Sequence, residues 1–417
     1  MAESRTSLLP TEIELALEVM PCQALRRSYE SAPQPHACSY FAEWGYYHSY
    51  DYGDAGPPES GSTVLPVVYA GKHQVVPELL SGCRKAPILC VGINPNLPGW
   101  SDGTRDAIHP YFDNFLQYVH YFRYRTRDKL RIPPKQYDQL VGSGTDVPSS
   151  AKPIAPLNQS IPVERSPVLM YQQYQTLLDG LAARQQWNDH KLSVGEDIAY
   201  ANMVACPSTR WVVSRSDEDP TMPVMGITRA QGIVTECFTK RRYFLRQLFQ
   251  TLPAVILVFS KTTATEFIRA MQGQFTVGDP KVDESLDSLF AREVRLKFGT
   301  LADGTVIDTR VIFLPHASAR PQDFARMREP TIGYLSQEVA AGRLVYNRQS
   351  GHLRRGRGGC VFCTNSVYRI GPCDYESELR PLAPMRLVKA KKTAPPDPLR
   401  EKDEQARLLK DFLDGKA

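Results

Sequence analysis

The chain has 417 residues, a net charge of +5 and a pI near 8.6, a balance that is compatible with an anionic partner without being diagnostic of one. Its 42% apolar and 23% charged residues are typical of a globular protein. The longest apolar run, residues 254–259, is far shorter than the ~20 residues of a membrane-spanning helix. With no secretory leader in residues 1–30, we expect a cytoplasmic protein without a membrane partner.

Hydrophobic periodicity and composition divide the chain into three parts. Residues 1–84 show weak periodicity, with one short amphipathic helix at 11–19, and indicate a loop-rich N-terminal extension. From residue 85 to 335, strands alternate with helices, which predicts a three-layer α/β/α domain with a mainly parallel central sheet. A Pro- and Ser-rich stretch at 133–167 indicates an insertion in that domain, and residues 336–417 form a basic, Cys-containing C-terminal extension.

Apolar runs and apolar positions at helical spacing predict the elements of the domain in chain order. The predicted strands are residues 88–91, 198–204, 254–259 and 306–314. The predicted helices are residues 114–125, 169–187, 234–249 and 262–271, with a turn and helix at 319–327 and a charged helix at 397–413.

Three of these strands carry a polar side chain at or near one end. Asn94 follows the first strand in the segment Gly-Ile-Asn-Pro-Asn, residues 92–96, where Pro95 stiffens the backbone. Asn202 lies in an apolar run, and His316 follows the last strand. Ligands of open α/β sheets bind at the carboxyl ends of strands, so these residues are candidates for a shared site.

Asn202 needs hydrogen-bond partners, because an unsatisfied buried amide costs about 1–3 kcal/mol. Its one acceptor group and two donor hydrogens suit the Watson–Crick edge of a pyrimidine. A structural amide within the sheet explains the residue equally well when Asn202 is considered alone.

Together, the motifs at Gly92–Asn96, at Asn202 and at His316-Ala317-Ser318 resemble those of the uracil-DNA glycosylase superfamily, in the family's order. The first motif is similar to the mismatch-specific and single-strand-selective branches. The block at residues 197–206 is similar to the thermostable iron–sulfur branch. The resemblance covers about residues 85–330 and implies a monofunctional DNA glycosylase of the three-layer kind, with DNA as its partner.

The resemblance also implies roles for individual residues. Asn94 would hold the attacking water, Asn202 would read the flipped base, and His316 would donate to a base oxygen as negative charge develops. Ser318 would bind a backbone phosphate, and Arg320 stands where the family places a side chain that enters the duplex gap.

Further residues are candidates for contacts with the base and the strand. Tyr111 or Phe112 would stack on the base, since an aromatic side chain is expected soon after the first motif. Arg123, Arg125 and Arg127 form a basic cluster that would hold the DNA backbone, with affinity that falls as salt rises.

Two positions depart from the family pattern. Ala317 replaces the usual proline of the second motif, which puts the geometry of that turn in question. Asn96 replaces the tyrosine that blocks 5-substituted bases in the uracil-selective branch. We therefore expect a substrate beyond plain uracil: a 5-modified pyrimidine, including a hypermodified viral base such as glucosylated hydroxymethylcytosine, removed in repair or in antiviral defence.

Nine cysteines without dense pairing favour reduced thiols or a metal site over a disulfide scaffold. Cys360 and Cys363 form a Cys-x-x-Cys pair, and Cys373 and His352 would complete a tetrahedral site for a structural zinc. No four-cysteine set is visible for an iron–sulfur cluster, and we expect catalysis to need no cofactor.

Two alternatives remain open at this stage. The chain could be a non-catalytic nucleic-acid-binding protein on the same fold, since its first motif lacks a carboxylate. It could also be an unrelated nucleotide-binding α/β protein, although no Gly-rich phosphate loop is visible and we expect no nucleotide cofactor. The oligomeric state is not indicated by the sequence.

Overall fold

The computed structural model describes the sheet, most of its helices and part of each terminal region. The described residues are 11–19, 22, 24, 36–38, 41, 77–95, 122, 130–132, 161–163, 169–208, 211, 226–302, 304–348, 350–355 and 398–416.

Helices and strands alternate along most of the described chain. The strands are β1 (Ile88–Gly92), β2 (Leu130–Ile132), β3 (Ile161–Val163), β4 (Ile198–Asn202), β5 (Val255–Phe259), β6 (Phe275–Val277), β7 (Val294–Thr300), β8 (Val306–Leu314), β9 (Val345–Asn347) and β10 (His352–Arg354). The helices are α1 (Thr11–Val19), α2 (Leu169–Gln185), α3 (Arg229–Val234), α4 (Tyr243–Thr251), α5 (Lys261–Ala270), α6 (Leu286–Ala291), α7 (Pro321–Ala340) and α8 (Pro398–Leu413), with a π-helical segment at Thr235–Lys240.

The central sheet has six strands in the order β4-β1-β5-β8-β7-β6. The first four strands are parallel, while β7 and β6 pair antiparallel at one edge. In the parallel part, Gly92 lies opposite Asn202 and Phe259 lies opposite Leu314. The predicted α/β class and the mainly parallel sheet are therefore confirmed.

Buried side chains alternate between two hydrophobic layers, one on each face of the sheet. Leu89 and Val91 of β1 belong to one layer, which also contains apolar side chains of α1, α4, α5 and α8. Ile88 and Cys90 belong to the other layer, with α2 and α7. Because successive strand residues point to opposite faces, β1 contributes to both layers, and the three-layer arrangement follows.

The segment predicted as one helix at 234–249 is helical, but the prediction of a continuous helix is wrong. α3 runs into a π-helical segment at Thr235–Lys240, and α4 starts only at Tyr243. Between them, Arg242 has a φ of 62°, in the left-handed region that a continuous right-handed helix cannot contain. Of the predicted helix at 114–125, the structure describes only Phe122, which is helical and buried.

The predicted boundaries at 84 and 335 do not separate the packing of the described residues. Leu15 of α1, Cys83, and Leu408 and Phe412 of α8 all belong to the hydrophobic layer on one face of the sheet. Helix α7 continues to Ala340. Across the described part of the chain, no helix combines the length and apolar character that crossing a membrane requires.

Candidate functional site at the strand ends

The carboxyl ends of β4, β1, β5 and β8 form one edge of the sheet, which places the three motif residues on the same side of the molecule. Asn202 is the last residue of β4, and Asn94 follows the neighbouring β1. His316 follows β8, which is separated from β1 by β5. With ~4.8 Å between neighbouring strands, the β1 and β8 ends are about 10 Å apart, with the end of β5 between them.

Both amide hydrogens of Asn94 are held by acceptors of the segment that follows β4. Its Nδ2 donates to the carbonyl oxygen of Cys206 at 3.3 Å and to Oγ of Ser208 at 2.7 Å. A carbonyl oxygen can only accept, so it is Nδ2 that faces Cys206, and the orientation of the amide follows. The half-buried side chain therefore offers Oδ1, an acceptor, to a ligand.

Asn202 is buried and bonded to a second side chain on its strand. The hydroxyl of Tyr200 donates to Oδ1 of Asn202 at 2.7 Å, as side chains two residues apart on a strand share a face. Gly92 lies opposite in β1, where a Cβ would come within 2.2 Å of the Tyr200 hydroxyl oxygen and 2.6 Å of Asn202 Oδ1. Glycine at position 92 therefore makes room for this pair.

His316 closes the turn between β8 and α7 through its own ring. Its Nδ1 lies 3.3 Å from the backbone nitrogen of Ser318 and 3.1 Å from that of Ala319 and accepts from both N–H groups. Since Nδ1 accepts, the proton of the neutral imidazole is on Nε2, which can donate to a ligand. Burial lowers the pKa of His316, which favours this neutral form.

The turn forms without the proline that is usual in the second motif. Ala317 is buried, and the backbone N–H of Arg320 donates to the carbonyl of His316 at 2.8 Å. Helix α7 then begins with Pro321, whose fixed φ suits the first helical position. Ala317 thus does not disturb the turn, because hydrogen bonds to His316 close it.

Ser318 and Arg320 are both exposed. Ser318 Oγ lies 3.1 Å from His316 Nδ1, whose single lone pair already accepts from two backbone N–H groups. The arginine side chain lies 3.9 Å from Asp323 and is 73% exposed. Arg320 is therefore free to extend from the edge, and the exposed Ser318 hydroxyl lies beside the His316 ring.

Ser260, at the end of β5, is a residue of this edge that the sequence motifs do not mark. It has φ 81° and ψ 152°, a region that essentially only glycine occupies. Its side chain accepts from the backbone N–H of Thr263 at 3.2 Å and so caps α5. A non-glycine residue in this conformation has no signature in a single sequence.

The remaining predicted site residues divide into two groups. Asn96, Tyr111, Phe112, Arg123, Arg125, Arg127, Cys360, Cys363 and Cys373 lie outside the described residues, so their roles stay predictions. His352 is described, and it lies near the amino end of β4, away from the carboxyl ends that carry the candidate site. Its Nδ1 is 2.9 Å from Oδ2 of buried Asp197. Burial raises the pKa of Asp197. The structure thus shows His352 bonded to a carboxylate and leaves the proposed zinc site a prediction.

A second candidate site is a cavity lined by four cysteines, which the sequence did not predict. Cys22, Cys38, Cys206 and Cys237 line it, together with Glu236, Arg241 and Tyr243. All four cysteines are buried and unpaired by disulfides. They come from the region after α1, the segment after β4 and the π-helical segment, and no Cys-x-x-Cys spacing connects them. The expectation that no four-cysteine set is present for an iron–sulfur cluster stays a prediction.

The thiols of this cavity are close enough to influence one another. Burial raises the pKa of Cys206, and the neighbouring Cys22, Cys237 and Cys38 raise it further. Burial also raises the pKa of Cys237 to about 12, although its sulfur accepts from the backbone N–H of Ala205 at 3.3 Å. Such thiols stay protonated at neutral pH unless a metal replaces their protons.

The described residues contain no group of three or more His, Cys, Asp or Glu side chains that could hold one metal ion. A single zinc needs every thiolate at about 2.3 Å from the same ion. In an iron–sulfur cluster, by contrast, each of the four irons takes its own cysteine, so the ligands are more widely spaced. The four cysteines of the cavity therefore do not form a ligand set for a single ion among the described residues.

Neither protein-family models nor curated proteins give a match to this chain. The proposed function therefore depends on the geometry of the two sites and on the resemblance of the motifs.

Proposed function

We propose that the protein is a monofunctional DNA glycosylase of the uracil-DNA glycosylase kind, which removes a flipped-out uracil or 5-modified pyrimidine and leaves an abasic site. The observation that carries this proposal is the pair of oriented groups at the strand ends. Asn94 presents an acceptor, and His316 presents a donor from a neutral ring. Hydrolysis of an N-glycosidic bond needs both: one group to orient water and one to stabilise the leaving base.

The reaction breaks the bond between C1′ of the deoxyribose and the base nitrogen, and the bonding electrons leave with the base. The base must first leave the stack, which costs a few kcal/mol. In the flipped state, Asn202 would bind the polar edge of the base, and His316 Nε2 would donate to the base oxygen that gains negative charge. Asn94 Oδ1 would accept a hydrogen bond from the water whose oxygen bonds to C1′, and the water proton passes to solvent.

Asn94 limits the rate that this arrangement can reach. An amide orients water but cannot take its proton, as a carboxylate could. The geometry is therefore best suited to a substrate whose base is a good leaving group. The proposed substrates are uracil and 5-modified pyrimidines, including hypermodified viral bases such as glucosylated hydroxymethylcytosine, in DNA repair or antiviral defence.

The iron–sulfur branch of the family that the motifs resemble carries a cluster, and the four cysteines of the cavity would be its ligands in this chain. Cys22, Cys38, Cys206 and Cys237 supply four thiols around a single cavity, and each would lose its proton on binding the metal. When bound, the cluster would cross-link three segments of the chain. Hydrolysis needs no electron transfer, so the residues of the strand-end site carry the reaction.

The proposal is tested with oligonucleotides that carry uracil or a modified pyrimidine, single- or double-stranded, followed by alkaline cleavage. We expect strand scission at the modified position, and loss of scission in Asn94→Ala and His316→Ala. His190→Ala is the matched control, because His190 Nδ1 also accepts from a backbone N–H, that of Leu192 at 3.3 Å, outside the strand-end site.

Other outcomes point to other functions. Salt-sensitive binding of these oligonucleotides without scission would favour the non-catalytic nucleic-acid-binding protein, for which the missing carboxylate in the first motif is the supporting observation. If the protein neither binds nor cleaves any of these oligonucleotides, both functions are rejected.

A further inference from the structure

Asn94 is held by a segment that also reaches the four-cysteine cavity. Beyond the end of β1 and β4, the two chains remain paired: the N–H of Met203 donates to the carbonyl of Gly92 at 3.0 Å, and that of Val204 to Ile93 at 2.9 Å. The N–H of Ser208 then donates to the carbonyl of Pro95 at 3.0 Å. The loop after β1 is thus fastened on both sides of Asn94.

Within this pairing, Ser208 and Cys206 contact the amide of Asn94 itself. Ser208 is 1% exposed, and its Oγ lies 2.7 Å from Nδ2, the shorter of the two bonds. Cys206 accepts the other hydrogen through its carbonyl, while its side chain lines the four-cysteine cavity. The amide therefore has no donor left for a ligand, because both its hydrogens are bound within the protein.

We propose that Ser208, together with the carbonyl of Cys206, is the positioning group that makes Asn94 a pure hydrogen-bond acceptor aimed at the attacking water. An unclamped asparagine rotates and presents Oδ1 or Nδ2 to the same position. Nδ2 cannot accept from water, so each rotation removes the water from its productive orientation. The inference rests on the proposed function, since it assigns Ser208 a part in the same reaction.

The kinetic test compares Ser208→Ala and Ser208→Thr with the unaltered protein. Ser350→Ala is the matched control, because Ser350 is also buried and its Oγ accepts from the backbone N–H of His352, near the amino end of β4. In Ser208→Ala we expect the single-turnover excision rate at saturating protein to fall about 10- to 100-fold, since misplaced reacting groups cost up to that factor. DNA affinity should stay unchanged, and Ser208→Thr, which keeps a hydroxyl, should recover most of the rate.

A second readout does not depend on catalysis. In full-length protein labelled with [15N]asparagine, the Nδ2 signal of Asn94 is assigned by its loss in Asn94→Ala. We expect one Nδ2 hydrogen of Asn94 to exchange with solvent about fivefold faster in Ser208→Ala, as expected for the loss of one ordinary hydrogen bond. In Ser350→Ala the Asn94 signals should not move.

The two readouts separate this inference from the proposed function. If no substrate is cleaved but the Asn94 signals change in Ser208→Ala, the clamp is supported and the proposed function fails. If excision occurs but Ser208→Ala changes neither the rate nor the Asn94 signals, the clamp is wrong. A fall in DNA affinity and melting temperature that matches the fall in rate would also overturn it, because Ser208 would then be merely structural.

Discussion

The strand-end site and the four-cysteine cavity share the segment that follows β4, but their residues are brought together by different features of the fold. Each polar group of the strand-end site lies at or just after a strand, so the parallel sheet brings Asn94, Asn202 and His316 to one edge. The cysteines of the cavity come from segments far apart in the sequence, and only the packing of α1, β4 and the π-helical segment assembles them. A site made by sheet topology is visible in a sequence, whereas one made by packing is not.

The largest expected effect is the loss of iron binding when a cysteine of the cavity is replaced, compared with a buried cysteine elsewhere in the core. We expect Cys237→Ser to abolish iron binding and visible absorbance in protein purified without oxygen, because a cluster needs all four thiolates. Cys90→Ser is the control, since Cys90 is also buried but lies on the other face of the sheet. A cluster in this cavity would be ruled out if the unaltered protein contained no iron, or if Cys237→Ser and Cys90→Ser contained equal amounts.

The next effect concerns the charge of His316. Burial lowers its pKa in the folded chain below the ordinary value of about 6.5, so the neutral ring persists as the pH falls through 6.5. The excision rate should therefore stay flat from pH 8 down through that value and fall only at a lower pH. In His316→Ala, the excision rate should be about 100-fold lower, or lower still, at every pH. A rate that halves near pH 6.5 in the unaltered protein would contradict the neutral-donor assignment.

Folding stability should decrease over a pH range in which the excision rate is still unchanged. As the pH falls below about 6.5, the unfolded chain binds a proton at His316 and the folded chain does not, so the contribution of this residue to stability decreases. Denaturant midpoints of the unaltered protein and of His316→Ala, compared at pH 7.5 and 5.5, measure it. The difference between the two proteins should shrink at the lower pH, and a difference that grows would show that the pKa is raised instead.

A more local effect tests the packing of the strand ends. In Gly92→Ala, the new Cβ would lie 2.2 Å from the Tyr200 hydroxyl oxygen, so the Tyr200–Asn202 pair must move. We expect base excision to fall at least tenfold while the melting temperature changes by only a few degrees, since both displaced atoms are ends of side chains. Unchanged excision of all substrates would show that Asn202 does not read the base.

The smallest expected effect is a gain in stability at Ser260. Its conformation costs about 1–3 kcal/mol for a residue other than glycine. Glycine at this position would relieve that strain but lose the side-chain cap of α5 and add freedom to the unfolded chain. We expect Ser260→Gly to raise the free energy of unfolding by about 1 kcal/mol, measured by urea denaturation. Destabilisation would mean that the cap outweighs the strain.

The sequence predicts those parts of the fold whose signals are local. The four parallel strands follow from short apolar runs, and helix α1 follows from its amphipathic spacing, within a residue or two of the observed ends. Strand β7 was missed, although Val294, Leu296 and Phe298 alternate with charged residues or glycine in the pattern of a half-buried strand. The break between the π-helical segment and α4 could not be predicted, because Arg242 in the left-handed region contradicts its own backbone preference.

The same distinction applies to the candidate site. The motifs located Asn94, Asn202 and His316, but not the groups that orient them. Ser208 contacts Asn94 across 114 positions of sequence, a pairing that only the β1–β4 register creates. Likewise, Cys22 and Cys206 come together only when the region after α1 packs on the sheet. Long-range partners of this kind need a structure, since one sequence carries no record of them.

The most direct test of the central claim is the release of a free base in a single turnover. Excess protein is incubated with an oligonucleotide that contains uracil or a 5-modified pyrimidine, and the products are identified and quantified by mass spectrometry. We expect free base and an abasic strand in equal amounts from the unaltered protein and from Ser350→Ala, and neither product from Asn94→Ala. Intact oligonucleotide of unchanged mass, recovered from protein that is folded and has bound it, would contradict the claim that this chain is a glycosylase.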